Sequence, residues 1–160
     1  MTTTDSVLIV CPHCAAINRL DPARAGKAAC GKCGGQVFPA QVFELGAAAF
    51  ERNIARNTVP VLVDFYSPTC GPCRMMAPQF AEAARMLHPA VRLFKVNTAE
   101  EQAVAARFGI QSVPTLALFV NGREAARQPG ALPAADIARW VQAQLYTHQA
   151  GQGAARGAGA

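Results

Sequence analysis

The sequence is nearly without tryptophan. Trp140 is its one example, and aromatic residues make up only 7% of the 160 positions. No aromatic motif interleaves with basic residues, as a nucleic-acid-binding face would require. Blocks of like charge are missing too. The formal charge is +5, but the first forty residues hold four basic side chains against two acidic ones, and residues 41–145 hold ten against eight. Scattered charge of this kind excludes a basic arm or tail. Long apolar runs are also absent. The run Val7–Val10 near the N-terminus is four residues long and has no positive region before it, which suits neither a membrane span nor the apolar part of an export signal. No nucleotide-binding pattern stands out, so no organic cofactor is expected.

Cysteine is what the sequence does have. Its six cysteines fall into three Cys-x-x-Cys pairs: Cys11/Cys14, Cys30/Cys33 and Cys70/Cys73. A secreted disulfide scaffold would space them differently and would need an export signal. The expected setting is therefore the reducing cytoplasm, where paired cysteines bind metal or carry out redox chemistry.

The first two pairs read as one metal site. Fifteen residues separate Cys14 from Cys30, the spacing of a four-cysteine zinc site in which each knuckle gives two thiolates to one tetrahedral ion. Gly31, Gly34 and Gly35 permit the tight turns. A segment of about forty residues has too little apolar mass for its own core, so a structural Zn²⁺ would act as a staple. His13 could also be a ligand, but four thiolates complete the shell, and a spacer role fits it better. Cys11-Pro12-His13-Cys14 is also the active-site tetrapeptide of a family of periplasmic thiol oxidases. Residues 15–22 are too short for the helix that chemistry needs, and a second knuckle follows.

Three segments follow from the pattern: a zinc ribbon over 1–40, an α/β domain over 41–148, and a Gly/Ala tail over 149–160 expected to be disordered. In the middle segment residues 47–56 predict a helix, and the apolar run 59–66 a buried central strand. A helix over 73–87 carries Pro78 as an expected kink. A strand over 91–97, a helix over 100–108 and a strand over 115–120 come next. Asn121-Gly122 signals a hairpin into a strand over 124–127. A last helix spans 133–146, with Pro133 in its first turn. Parallel strands with helical crossovers, closed by an antiparallel hairpin, give an α/β sandwich.

The third pair, Cys70-Gly71-Pro72-Cys73, stands where the buried strand hands over to a helix. Helix N-termini offer unpaired N–H groups and a positive dipole end, and both stabilise a thiolate. The thiolate is the form that attacks disulfides. Cys70, at the helix end, is expected to be the exposed nucleophile. Cys73, one turn in, is expected to be the shielded resolving thiol. Pro72 fixes φ between them, and the Gly71-Pro72 spacer helps set the redox potential.

Val61-Leu62-Val63-Asp64-Phe65-Tyr66, followed by Cys70-Gly71-Pro72-Cys73-Arg74, is similar to the signature of the thioredoxin family. So is Phe108-Gly109-Ile110-Gln111-Ser112-Val113-Pro114-Thr115-Leu116, and Asn121-Gly122 and Gly130-Ala131-Leu132 match in order and spacing. With the ribbon in front, the chain resembles the bacterial thioredoxin 2 type. The resemblance implies the thioredoxin fold, a central mixed sheet flanked by helices. It implies a monomeric protein-disulfide reductase that is itself reduced by thioredoxin reductase and acts on disulfide-bearing client proteins, without nucleic acid or membrane. By the same resemblance Asp64 is the buried carboxylate that exchanges a proton with Cys73, and Lys95 is the lysine near it. Pro114 is a cis-proline facing the cysteines. Val113 offers backbone hydrogen bonds to the substrate, and Gly130 completes the docking surface. The family carries tryptophan just before the first redox cysteine; here that position is Thr69, which removes a large apolar contact from the docking face. An alternative role gives that change more weight: a zinc-ribbon interaction or holdase module built on the same fold.

Overall fold

The computed structural model describes residues 6–158, and side chains over 6–151. Two strands open the chain, β1 (Val7–Val10) and β2 (Ile17–Leu20), paired antiparallel. The short apolar run at the N-terminus is thus a strand, with Ile9 and Val10 fully buried. A 3₁₀ turn over Pro22–Lys27 follows, N-capped by the Asp21 carboxylate, which accepts from the Ala23 N–H. Residues 28–41 then return with almost no regular structure, apart from a single bridge between Ala29 and Gln36.

The rest of the chain builds a five-stranded mixed sheet. Its strands are β3 (Phe43–Glu44), β4 (Val61–Tyr66), β5 (Arg92–Asn97), β6 (Thr115–Val120) and β7 (Arg123–Pro129), in the spatial order β3-β5-β4-β6-β7. β4 lies parallel to β5 and antiparallel to β6. Four helices connect them: α1 (Ala47–Arg56), α2 (Gly71–Leu87), α3 (Gln102–Arg107) and α4 (Ala134–Ala158). β4 is buried on both faces, as its apolar run, interrupted only by Asp64, requires. One face packs on α2 and α4 through Leu62, Leu116, Leu118, Phe80 and Ile137. The other packs on α1 and α3 through Val63, Phe65, Phe50 and Phe119. Trp140 sits partly buried at the margin of the first core.

Two features differ from the sequence expectation. β3, at the sheet edge, has only two paired residues, Phe43 with Phe94 and Glu44 with Lys95; two residues are too few for a periodic pattern to mark. The last helix runs on to Ala158, through most of the segment expected to be a disordered tail. That stretch holds alanine, the strongest helix former, and no proline to stop the ladder. Residues 159 and 160 lie outside the described residues.

The ribbon is docked on the sheet rather than strung from it. β1 meets the turn between α1 and β4: the Leu8 N–H donates to Thr58 Oγ1, the Thr58 N–H to Leu8 O, and the Val10 N–H to Asn57 Oδ1. Val59 joins the ribbon's own core of Ile9, Leu20, Val37 and Phe38. These contacts lie at the N-terminal end of β4, the end opposite Cys70.

Candidate redox and metal sites

β4 ends at Tyr66, and three residues later Cys70 caps α2 from an extended conformation. Its Sγ accepts from the Cys73 N–H at 3.2 Å, the interaction expected of an N-capping group. Cys70 and Cys73 form a disulfide, with Cα atoms 5.2 Å apart. Cys70 is partly exposed and Cys73 is buried. Gly71 and Pro72 form the exposed first turn of α2. Pro72 suits that position, since the first helical N–H groups have no partner within the helix.

The loop before β6 closes the other side. Val113–Pro114 is a cis peptide, and the Val113 carbonyl lies 3.6 Å from Cys70 Sγ. Gly130 stands next to it, with φ at +95° and its N–H donating to Pro114 O at 2.9 Å. Thr69 is exposed, and its hydroxyl pairs with that of Ser67 at 3.2 Å. The disulfide, the cis-proline loop and the Gly130 turn therefore form one surface.

Behind the disulfide lies Asp64, 4% exposed. Its Oδ1 has no hydrogen-bond partner. Burial raises its pKa to about 7, against a weaker opposing pull from Lys95, its register partner on β5. A cavity of about 360 Å³ reaches Asp64, Lys95 and the flank of Cys73, walled on one side by Gln41 and Val42 from the segment that joins ribbon to sheet. Lys95 also lies 5.3 Å from the Tyr66 ring, and the Tyr66 hydroxyl donates to Glu44 on β3. Glu44 and Tyr66 were not expected at the site. The alternation along β4, which puts Asp64 and Tyr66 on one face, is the signal that could have found Tyr66.

At the other end of the sheet the four remaining cysteines converge. The Sγ atoms of Cys11, Cys14, Cys30 and Cys33 all lie within 4.8 Å of one another, close enough to hold a metal ion. The knuckle backbones turn toward sulfur: the His13, Lys32 and Gly35 N–H groups donate to Cys11, Cys30 and Cys33, each at 3.4 Å. The Asn18 amide also donates to Cys30. Protons would be shared unevenly among the bare thiols. Backbone donation at Cys33 and Lys32 and the Asn18 amide bring Cys30 down to about 6. Cys33, although the Gly35 N–H favours its thiolate, is pushed up to about 11 by desolvation and its three sulfur neighbours. Four thiolates this close need a cation among them. His13 stays outside the cluster, its ring edge-on to Phe43 at 6.0 Å. A Cβ on Gly35 would come 2.6 Å from that ring, so the exposed His13 side chain would have to shift to admit one.

The model of the thioredoxin family matches residues 41–143. The chain belongs to the thioredoxin family. Thioredoxin C-3 of Corynebacterium nephridii is 36% identical over 144 residues, covering 89% of this chain and 99% of that protein. That match is too long to fit within residues 41–160, so it reaches into the ribbon segment. The thioredoxin of Haemophilus influenzae is 38% identical over 105 residues, 66% of this chain and 98% of its own. Thioredoxin 1 of Synechococcus elongatus is 41% identical over 98 residues, 61% of this chain and 92% of its own. Together with the Cys70–Cys73 disulfide, membership makes the chain a thiol–disulfide oxidoreductase with protein-disulfide reductase activity. The four-cysteine cluster fits an N-terminal zinc ribbon, as in thioredoxin 2. No helix among the described residues is long and apolar enough to cross a membrane.

Proposed function

We propose that the chain is a general cytoplasmic reductase of client-protein disulfides, recharged by thioredoxin reductase. The observation that carries this reading is the cap geometry: Cys70 Sγ at the N-terminus of α2, held by the Cys73 N–H and facing the Val113 carbonyl. In the reduced protein the Cys70 thiolate attacks a client disulfide, and one client sulfur leaves as thiolate. Cys73 then gives its proton to Asp64 and attacks Cys70 Sγ, which releases the second client sulfur and closes the Cys70–Cys73 disulfide. Two electrons pass from the dithiol to the client; the first client thiolate takes a proton from solvent, where Cys70 left its own, and the second takes the Cys73 proton back from Asp64. A carboxylate that titrates near neutral pH suits the transfer, and Lys95 biases its charge. Val113 and Pro114 align an extended client strand, with Gly130 and Thr69 at the edges of the docking face.

The four-cysteine site fits Zn²⁺. Four thiolates at about 2.3 Å from a tetrahedral ion stand about 3.8 Å apart. The Cys11–Cys33 and Cys14–Cys30 sulfurs are each 3.6 Å apart. All four positions are taken by protein, so the metal supplies structure, not catalysis.

Insulin reduction driven by NADPH and thioredoxin reductase tests the function. Turnover that disappears in Cys70→Ser is the expected result. Turnover with dithiothreitol alone would replace the reductase with another electron donor. Failure with both would favour a docking role for the fold.

A further inference from the structure

Arg92 is the one residue in β5 that should not be where it is. It is 2% exposed in an otherwise apolar stretch, and no described carboxylate pairs with it. Its guanidinium lies between the rings of Phe38 and Phe94, 5.2 and 4.9 Å from their centres. It donates to Val10 O at 2.6 Å, Val37 O at 3.1 Å and Asn57 Oδ1 at 3.3 Å. Burial lowers its pKa to about 10, so it stays charged at neutral pH. A buried charge is retained where it is hydrogen-bonded and finds an opposite charge. The hydrogen bonds are present, but they come from neutral groups.

The opposite charge lies on the ribbon. One divalent ion bound to four thiolates leaves a net charge of −2 at the cluster. Val10, whose carbonyl Arg92 holds, is bonded to Cys11, the first of the four sulfur ligands. We propose that Arg92 is the buried counter-charge of the four-cysteine metal site and the latch that fixes the ribbon to the sheet. This rests on the metal reading of the ribbon. Its fork reaches both halves of the ribbon, β1 through Val10 and the return segment through Val37, from a residue anchored in the central sheet. Metal binding and docking of the ribbon are therefore coupled through one side chain. Lysine could supply the charge but not the planar fork.

The test uses the full chain and Co²⁺, whose thiolate charge-transfer absorption reports binding, with chelator competition for affinity and circular dichroism for the thermal midpoint. Arg92→Met is expected to bind Co²⁺ about tenfold more weakly than the wild type, or worse, in the range of other residues that support metal ligands from behind. Its gain in thermal midpoint on metal binding is expected to shrink as well. Arg92→Lys keeps the charge and is expected to stay closer to the wild type. If the methionine variant does not fold, Arg92→Gln takes its place. A neutral variant with affinity within about twofold of wild type would overturn the proposal. A lysine variant that falls as far as the neutral one would overturn the counter-charge role, because the effect would then belong to the geometry of the fork and not to charge. A wild-type chain without the charge-transfer band would sink the metal reading itself, a failure distinct from the other two.

Discussion

Asp64 is the carboxyl group proposed to carry the proton of the reaction. It is buried, one of its oxygens has no partner, and its pKa is about 7 where a free aspartate titrates near 3.8. Between those values the folded chain holds a proton that the unfolded chain releases, so stability falls as pH rises from about 4 to about 7 and is flat on either side. Asp64→Asn removes that slope while keeping size and polarity. The variant is expected to match the oxidised wild type below pH 4 and to exceed it above pH 7 by up to about 4 kcal/mol. Urea unfolding at the two pH values measures the gap, and equal gaps at both would refute the assignment. On the proposed mechanism the same substitution should slow disulfide reduction near neutral pH, because residue 64 would no longer take the proton of Cys73. Residues at this scale differ in how far the sequence reveals them. The cysteines carry their chemistry in their spacing. Asp64 and Pro114 were legible through the family pattern around them. Arg92 was not, although a single charge inside Val91-Arg92-Leu93-Phe94 is a signal of a buried cation with a purpose. What it touches comes from Val10 and Val37, more than fifty residues away, and no local pattern carries that.

Elements place these residues, and most were readable because their periods are long enough to register. β4 and β6 are apolar runs with one polar residue each, Asp64 and Thr115, α2 follows the Cys-Gly-Pro-Cys turn, and Asn121-Gly122 makes the β6–β7 turn with both residues at positive φ. β3 failed to register because two residues have no period, and the end of α4 because alanine and glycine pull a prediction in opposite directions. The turn from β7 into α4 borders the docking face proposed for clients. Gly130 has open space where a Cβ would be, yet its φ of +95° suits only glycine. Gly130→Ala is therefore expected to cost about 1–2 kcal/mol in stability through backbone strain alone. Relief of that strain pulls the N–H away from Pro114 O, so KM for a protein client should rise while turnover of a small-molecule disulfide stays unchanged. Urea unfolding and paired kinetics with insulin and a small aromatic disulfide check both parts. A rise in KM for both substrates would place Gly130 in the chemistry instead.

At the scale of the whole molecule, the sheet separates two cysteine chemistries. The ribbon contacts the start of β4 through Thr58 and Val59, and the redox disulfide lies beyond its end. Six residues of strand at about 3.3 Å each put roughly 20 Å between those ends, about twice the screening length at ordinary ionic strength. The charge of a metal bound at the cluster would act mainly on its surroundings at the ribbon, and distance makes its pull on Cys70 the weaker one. The mechanical path is blocked as well, because β3 pins the chain to β5 at Phe43 and Glu44 before it continues into the domain. A metal bound there would stabilise a segment whose own core is small, and that segment is joined to the sheet through Val59 and Arg92. Stripping the metal with a chelator under reducing conditions is expected to lower the thermal midpoint of the whole chain. The pH midpoint of Cys70 alkylation is expected to stay where it was. A shift in that midpoint, with the fold intact by circular dichroism, would mean that the linker at Gln41 and Val42 transmits the loss of metal into the cavity over Asp64, and the two ends of the sheet would then be coupled after all.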